Sequence, residues 1–352
     1  MGESPRAIAV LGQGIAGTLV SMRLREAGLA HVVYDRGHGA ASSRAAAGLV
    51  NPATGRRFVL VSEFEAHVAR FGVYRRLGKL LGGRYVVPLT IYRDLSSVKD
   101  RNQWDLRRSQ PAYRPYLGAP VRAPDAGLPL ANPDQWLGPT TGAYRVDLPT
   151  LIRDYRGLLR REGRLREATI PLDRPIGDAA GAGFAVGEAA YTHVIDCRGA
   201  ACAKTIEWAD RPWRLSKGES ARLTSGEWPR HAATKLGGSF LAPIGTGADV
   251  WYGGTSTDDF VDARPTSAAR ERFRRELGAL LGERPDGGAG ALADHRAAIR
   301  PTMRDRAVIA AAHASIPGLY ACNGLGTKGA LMAPSASARV VSILRADLAA
   351  RR

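Results

Sequence analysis

The sequence predicts an α/β protein with a dinucleotide-binding unit at its N-terminus, and three observations carry that expectation. An apolar run at residues 7–11 leads directly into the glycine-rich stretch GQGIAG, and a helical pattern follows. A second apolar run, HVVYD at residues 31–35, ends in an acid. Further strand-like runs and amphipathic helical patterns then continue to the C-terminus.

Residues 7–11 form a short continuous apolar run of the kind that makes a strand buried on both faces. Gly12, Gly14 and Gly17 fit G-x-G-x-x-G. The first glycine permits a tight turn, the second lets backbone approach a pyrophosphate, and the third lets the helix pack closely on the strand. Ile15 and Ala16 lie between them at the helix start, where open N–H groups and the helix dipole face an anion. In the helix, Leu19, Val20, Leu24 and Ala27 fall toward one side, and Gly28 stops it. Asp35 follows the fingerprint by the usual ~20 residues, where a carboxylate accepts hydrogen bonds from an adenosine ribose. Arg36 beside it does not decide between cofactors, and a plain βαβ unit with a glycine-rich turn remains the alternative.

The segment after the second strand, ASSRAAAGLVNPATGRRF at residues 41–58, is small-residue-rich and carries three arginines. Small residues let backbone approach a large flat cofactor. Together with GQGIAGTL and the acid-ended strand, this segment resembles the D-amino-acid-oxidase-type FAD-dependent oxidoreductases, a superfamily that includes glycine oxidase, sarcosine oxidase and a tRNA-modifying oxidoreductase. The resemblance covers almost the whole chain. It implies an α/β fold: a discontinuous Rossmann-like FAD-binding domain with an inserted antiparallel-sheet substrate domain. The expected division gives residues 1–80, 141–210 and 290–352 to the FAD domain and residues 81–140 and 211–289 to the substrate domain. By the same resemblance Ser42, Ser43, Arg44, Ala47 and Gly48 contact FAD.

Residues 64–80 carry Phe64, Val68, Phe71, Tyr74, Leu77 and Leu80 at helical spacing, which predicts one amphipathic helix. A turn and strand follow at residues 82–95. Residues 106–139 are proline-rich with little periodicity and are expected to be loops and edge structure. Residues 146–163 predict a strong helix, with Asp147 as N-cap and Pro149 in its first turn. The strand YTHVIDCRGA at residues 191–200 ends in a tight turn at Gly199, which the resemblance returns to the FAD domain. Residues 239–255 predict a hairpin, which the resemblance places as a roof over the flavin. That makes Tyr252, Lys235 and Thr255 pocket residues, with Tyr252 also a catalytic candidate. Residues 267–282 form a basic amphipathic helix whose charges face solvent.

Near the C-terminus, NGLGTKGALMAP runs from a strand through a glycine loop into a helix. Loop N–H groups and a cation suit a reduced flavin, which carries negative charge. Gly324, Leu325, Gly326, Thr327 and Lys328 are therefore the expected contacts, with Lys328 also a catalytic candidate. In IRPTMRDRAVI, Arg300 takes the position at which the resembling enzymes pair an arginine with a substrate carboxylate. Its planar fork suits two parallel hydrogen bonds to a carboxylate. Arg304 and Arg306 do not match that position.

Composition narrows the classes. The chain has 352 residues and a formal net charge of +17. A polyanionic partner and a general bias toward arginine both account for that charge, since no segment concentrates it. Three cysteines without a C-x-x-C pair favour a reducing, cytoplasmic setting over a disulfide framework. The histidines show no metal-ligand spacing, so no metal site is expected. No apolar run approaches the ~18 residues of a membrane span.

The function these features imply is FAD-dependent oxidation of the CH–NH or CH–OH bond of a small amino or hydroxy carboxylate by hydride transfer to flavin N5. Three alternatives stand beside it: a tRNA-modifying oxidoreductase acting on a carboxymethylaminomethyl group, a non-catalytic FAD-binding protein, and an NAD-dependent dehydrogenase. Noncovalent FAD is expected, with His38 and Cys322 as conceivable covalent anchors. Substrate identity, electron acceptor and oligomeric state are not legible.

Overall fold

The computed structural model describes residues 6–37, 39, 41–170, 183–187, 189–224, 228–282 and 292–350. Two large sheets organise these residues. In the first, strand β1 (Arg6–Leu11) runs parallel to β2 (His31–Tyr34) on one side. On the other side it runs parallel to the strand Ala189–Asp196. Ile8, Ala9, Val10 and Leu11 are fully buried, as an unbroken apolar run between two parallel neighbours requires. Helix α1 (Ile15–Glu26) follows the glycine turn, and Gly28 closes it at a φ of +69°. The C-terminal helix Gly329–Ala350 packs against α1, with Leu19, Val20, Leu331 and Val340 in one core.

The second sheet has nine strands, antiparallel at all but one junction. Its labelled strands are β3 (Val86–Asp94), β4 (Trp136–Val146), β5 (Trp213–Thr224), β6 (Ala232–Leu236), β7 (Ser239–Pro243), β8 (Asp249–Gly253) and β9 (Ala293–Met303). Their spatial order is β9-β5-β8-β7-β6-β3-β4, and the strand Leu49–Val50 ends the row. The β6–β3 junction is the parallel one. Helix α2 (Ser267–Leu281) covers the outer face through Phe273 and Leu277, capped by Thr266.

Three expectations need correction. The predicted helix over residues 64–80 divides into Phe64–Ala69 and Gly72–Leu81, because Gly72 is a poor helix former at the junction. Part of the proline-rich stretch is helical: Val98–Ser109 forms a helix capped by Ser97, which accepts from the Asp100 N–H. Only Trp104 is buried on it, so no apolar stripe announces it. Finally, β9 pairs with β5 along its length, from Ser220↔Arg296 to Trp213↔Met303. Arg300 and the end of β4 therefore sit in the antiparallel sheet, not with the parallel strands of the first sheet.

Candidate active site

The two sheets face one another across a cavity of about 1230 Å³. That exceeds the ~300–1,000 Å³ of a drug-sized ligand site and leaves room for a large cofactor together with a substrate.

One wall begins at the glycine turn. Gly12 holds a φ of +91°, and a Cβ there would lie 2.6 Å from the Cys197 carbonyl oxygen. A Cβ on Gly17 would overlap the Gly12 carbonyl, so its role is close helix packing; it does not line the cavity. Helix α1 starts with no capping side chain and no acid in its first turn, which leaves its positive end open to an anion. Ser43 orients this corner by accepting from the Ile15 N–H at 3.0 Å.

Asp35 also lines the cavity, but its carboxylate is already engaged. Oδ2 accepts from the Gln13 N–H, and Oδ1 accepts from the Gly37 N–H and from Arg156 Nη1 at 2.7 Å. A carboxylate offers about four acceptor directions, so one remains for a ribose hydroxyl. Arg156 is 3% exposed and was not foreseen. It sits on the apolar face of the helix Leu148–Arg161, and only the tertiary approach of that helix brings it to Asp35.

The opposite wall is the inner face of the antiparallel sheet. Ser216, Gly218 and Ser220 of β5, Trp251 of β8 and Phe240 of β7 all look inward. Strand alternation explains a correction here. Tyr252 points the other way: its hydroxyl donates to Glu276 Oε2 at 2.7 Å and its ring packs edge-on against Phe273. Burial, with that carboxylate, pushes its phenol up, and the residue does not line the cavity. Its neighbour Trp251 lines the cavity instead and donates through Nε1 to the Ala45 carbonyl at 2.9 Å.

Arg300 lies on this inner face. Its Nη1 donates to the Thr255 carbonyl at 3.0 Å. Its guanidinium reaches across β5 and fills the space where a Cβ on Gly218 would be, with Nη2 3.1 Å from a Cβ position on Gly254. No carboxylate lies within 4 Å of it among the described residues. Burial alone lowers its ordinarily very high pKa. A desolvated cation without a counter-ion is a site for an anion.

The remaining wall is the loop of residues 324–328, every one of which lines the cavity. It is a short 3₁₀ turn, Gly326–Lys328, before the C-terminal helix, which starts only at Gly329. Lys328 is exposed at the edge, its amine lowered first by partial burial and then by Arg306. Gly14, Ile15, Ala16, Arg36, Ser42, Ala47, Gly48 and Gly199 line the cavity as well. Arg44 does not: its neighbours face inward while its carbonyl accepts from Arg296. Of the conceivable covalent anchors, His38 lies outside the described residues, and Cys322 is buried off the cavity.

Residues 7–342 match the family model described as FAD dependent oxidoreductase. The chain belongs to that family: it is an FAD-dependent oxidoreductase, and FAD is its cofactor. Among curated proteins it is similar to the tRNA 5-methylaminomethyl-2-thiouridine biosynthesis bifunctional protein MnmC of Caulobacter sp. (strain K31), 28% identical over 345 residues. The match covers 94% of this chain and 53% of the relative, so the chain spans about half that protein's length. In structure it is similar to glycine oxidase from Geobacillus kaustophilus, with a TM-score of 0.81 at 18% identity over 97% of this chain and 95% of the other. Iminodiacetate oxidase from Chelativorans sp. BNC1 gives 0.74 at 20% identity, over 96% and 95%. At these identities the structural likeness speaks for the fold. The residues present fit FAD: the uncapped helix end suits its pyrophosphate, Asp35 keeps one acceptor direction, and the small residues 45–48 keep one wall flat.

Proposed function

We propose that the enzyme oxidises the CH–NH bond of a small amino carboxylate, or the CH–OH bond of its hydroxy counterpart. The observation that carries this reading is Arg300, an unpaired guanidinium on the inner face of the antiparallel sheet. It holds the substrate carboxylate through a charge-assisted fork. Its own placement is held by the Thr255 carbonyl and by the absence of a side chain at Gly218. Trp251 and Phe240 flank it on the same face and limit water around the reacting carbon. Bound FAD supplies the two-electron acceptor. An amine that enters neutral needs no base from the protein.

The test is anaerobic flavin bleaching with a panel of amino acids, N-alkyl glycines and hydroxy acids. Truncating one partner of a buried charge pair costs about 2–5 kcal/mol. Arg300→Ala should therefore lower kcat/KM for an active carboxylate by roughly 30- to 5,000-fold. An unchanged value would sink the assignment.

A second reading places the reacting group on tRNA. The +17 charge and the MnmC relative favour it. Binding of tRNA that weakens steeply as salt rises, from counter-ion release, is its signature; affinity indifferent to salt would remove it.

A further inference from the structure

On the same sheet as Arg300, a few strands away, the cavity carries a second cationic group that neither FAD nor the carboxylate anchor accounts for. Arg93 of β3 and Lys235 of β6 are cross-strand partners at the parallel junction, and both line the cavity. Arg93 is 6% exposed; it donates to the Gly55 carbonyl at 2.8 Å and stacks over Phe58. Its nearest acids, Asp94 and Asp100, act only from beyond ion-pair distance. Lys235 has no ion pair or hydrogen bond among the described residues; its ammonium rests 4.9 Å from the Phe240 ring centre. Arg56, in the hairpin turn at the cavity edge, adds a third positive charge. Most other arginines of comparable burial, such as Arg145, Arg156 and Arg198, are paired with carboxylates.

The spacing to Arg300 is set by the sheet. Lys235, Phe240 and Gly253 lie in one cross-strand row over β6, β7 and β8. The Arg300 guanidinium reaches across β5 to Gly254, just past the end of β8. Two strand intervals, ~10 Å, therefore separate its tip from the Lys235 backbone. The Lys235 ammonium leans back over Phe240, which shortens the gap between the cations further.

We infer that Arg93 and Lys235 form a second anion subsite, so that the preferred substrate carries an anionic group, carboxylate or phosphate, in addition to the carboxylate held by Arg300. This rests on the Arg300 assignment. Two like charges left facing one cavity repel each other and cost desolvation; a second anion offsets both. Burial, then Arg93 and Arg56, hold the Lys235 amine down to about 8, as expected of a cation whose partner arrives with the ligand.

The experiment is calorimetric titration of the FAD-loaded enzyme with acetate, succinate and 3-phosphonopropionate as dead-end probes. The expected result is that succinate, the phosphonate, or both bind ~10–100-fold tighter than acetate, the size of one charge-assisted hydrogen bond. Their order tells carboxylate from phosphate. Lys235→Gln should remove that advantage and leave acetate affinity unchanged, with a thermal melt confirming the fold. Arg300→Gln should weaken all three probes. Equal affinity for acetate and both dianions, or an advantage that survives Lys235→Gln, overturns the second subsite while Arg300 stands. Loss of acetate binding in Lys235→Gln also overturns it, by placing Lys235 at the first carboxylate. Acetate binding indifferent to Arg300→Gln instead overturns the anchor on which the inference rests.

Discussion

Two neighbouring residues, Trp251 and Tyr252, show how much one position decides. Both are aromatic and both sit on β8, but only Trp251 faces the cavity. Tyr252→Phe deletes one hydrogen bond to Glu276, which keeps Arg272 and Ser239 as donors. It should cost ~0.5–1.5 kcal/mol in urea unfolding and leave kcat/KM alone; a collapse of activity would return Tyr252 to the site. Lys235 gives a pH prediction. Its amine is lowered to about 8 and faces the guanidinium groups of Arg93 and Arg56. The ammonium is present below that value and lost above it. Affinity for a dianionic probe should therefore fall as pH rises through about 8, with the midpoint displaced upward in the complex because the bound anion favours the charged form. Acetate affinity, which depends on Arg300, should stay flat across the same window. Titrations at pH 7 and pH 9 separate the two.

At the scale of elements, the site depends on strands that leave space as much as on those that supply groups. Gly218 in β5 exists in a form that the Arg300 side chain overlies, and any Cβ there would overlap the guanidinium. Gly218→Ala should displace that cation; an error of about 1 Å at such a position costs on the order of 100-fold, seen in kcat/KM for the carboxylate substrate with FAD still bound. Retained activity would mean that Arg300 has another productive pose. Much of this scale was legible in the sequence. The glycine turn, α1, the Asp147-capped helix and the hairpin of β7 and β8 follow from local apolar spacing and turn chemistry. The helix Val98–Ser109 was not legible, because it buries a single side chain and so shows no stripe. The inward face of β8 was not legible either. A strand with bulky residues at successive positions fits either register until its neighbours fix one.

For the whole molecule, the cavity lies between two sheets that share a core at one junction, where Val50 and Val146 join Ile8, Val10 and Val33, and the residues lining it fit FAD. A ligand bound only by the folded state adds about 2.7 kcal/mol at 100-fold excess over its Kd. Removing FAD should therefore lower the melting temperature, and adding it back should restore it; a calorimetric scan indifferent to FAD would count against this cavity as its site. The sequence by itself determined the class: glycines at fixed spacing after an apolar strand, an acid after the next strand, and an arginine before a proline near the C-terminus are local signals, and the chemistry of each residue type is its own. Only the tertiary structure decided which groups share the cavity. Arg156 meets Asp35, and Arg93 meets Lys235, through packing between segments far apart in the chain. Strand register and helix docking are set by the burial of whole faces, so no local pattern could have announced those pairs.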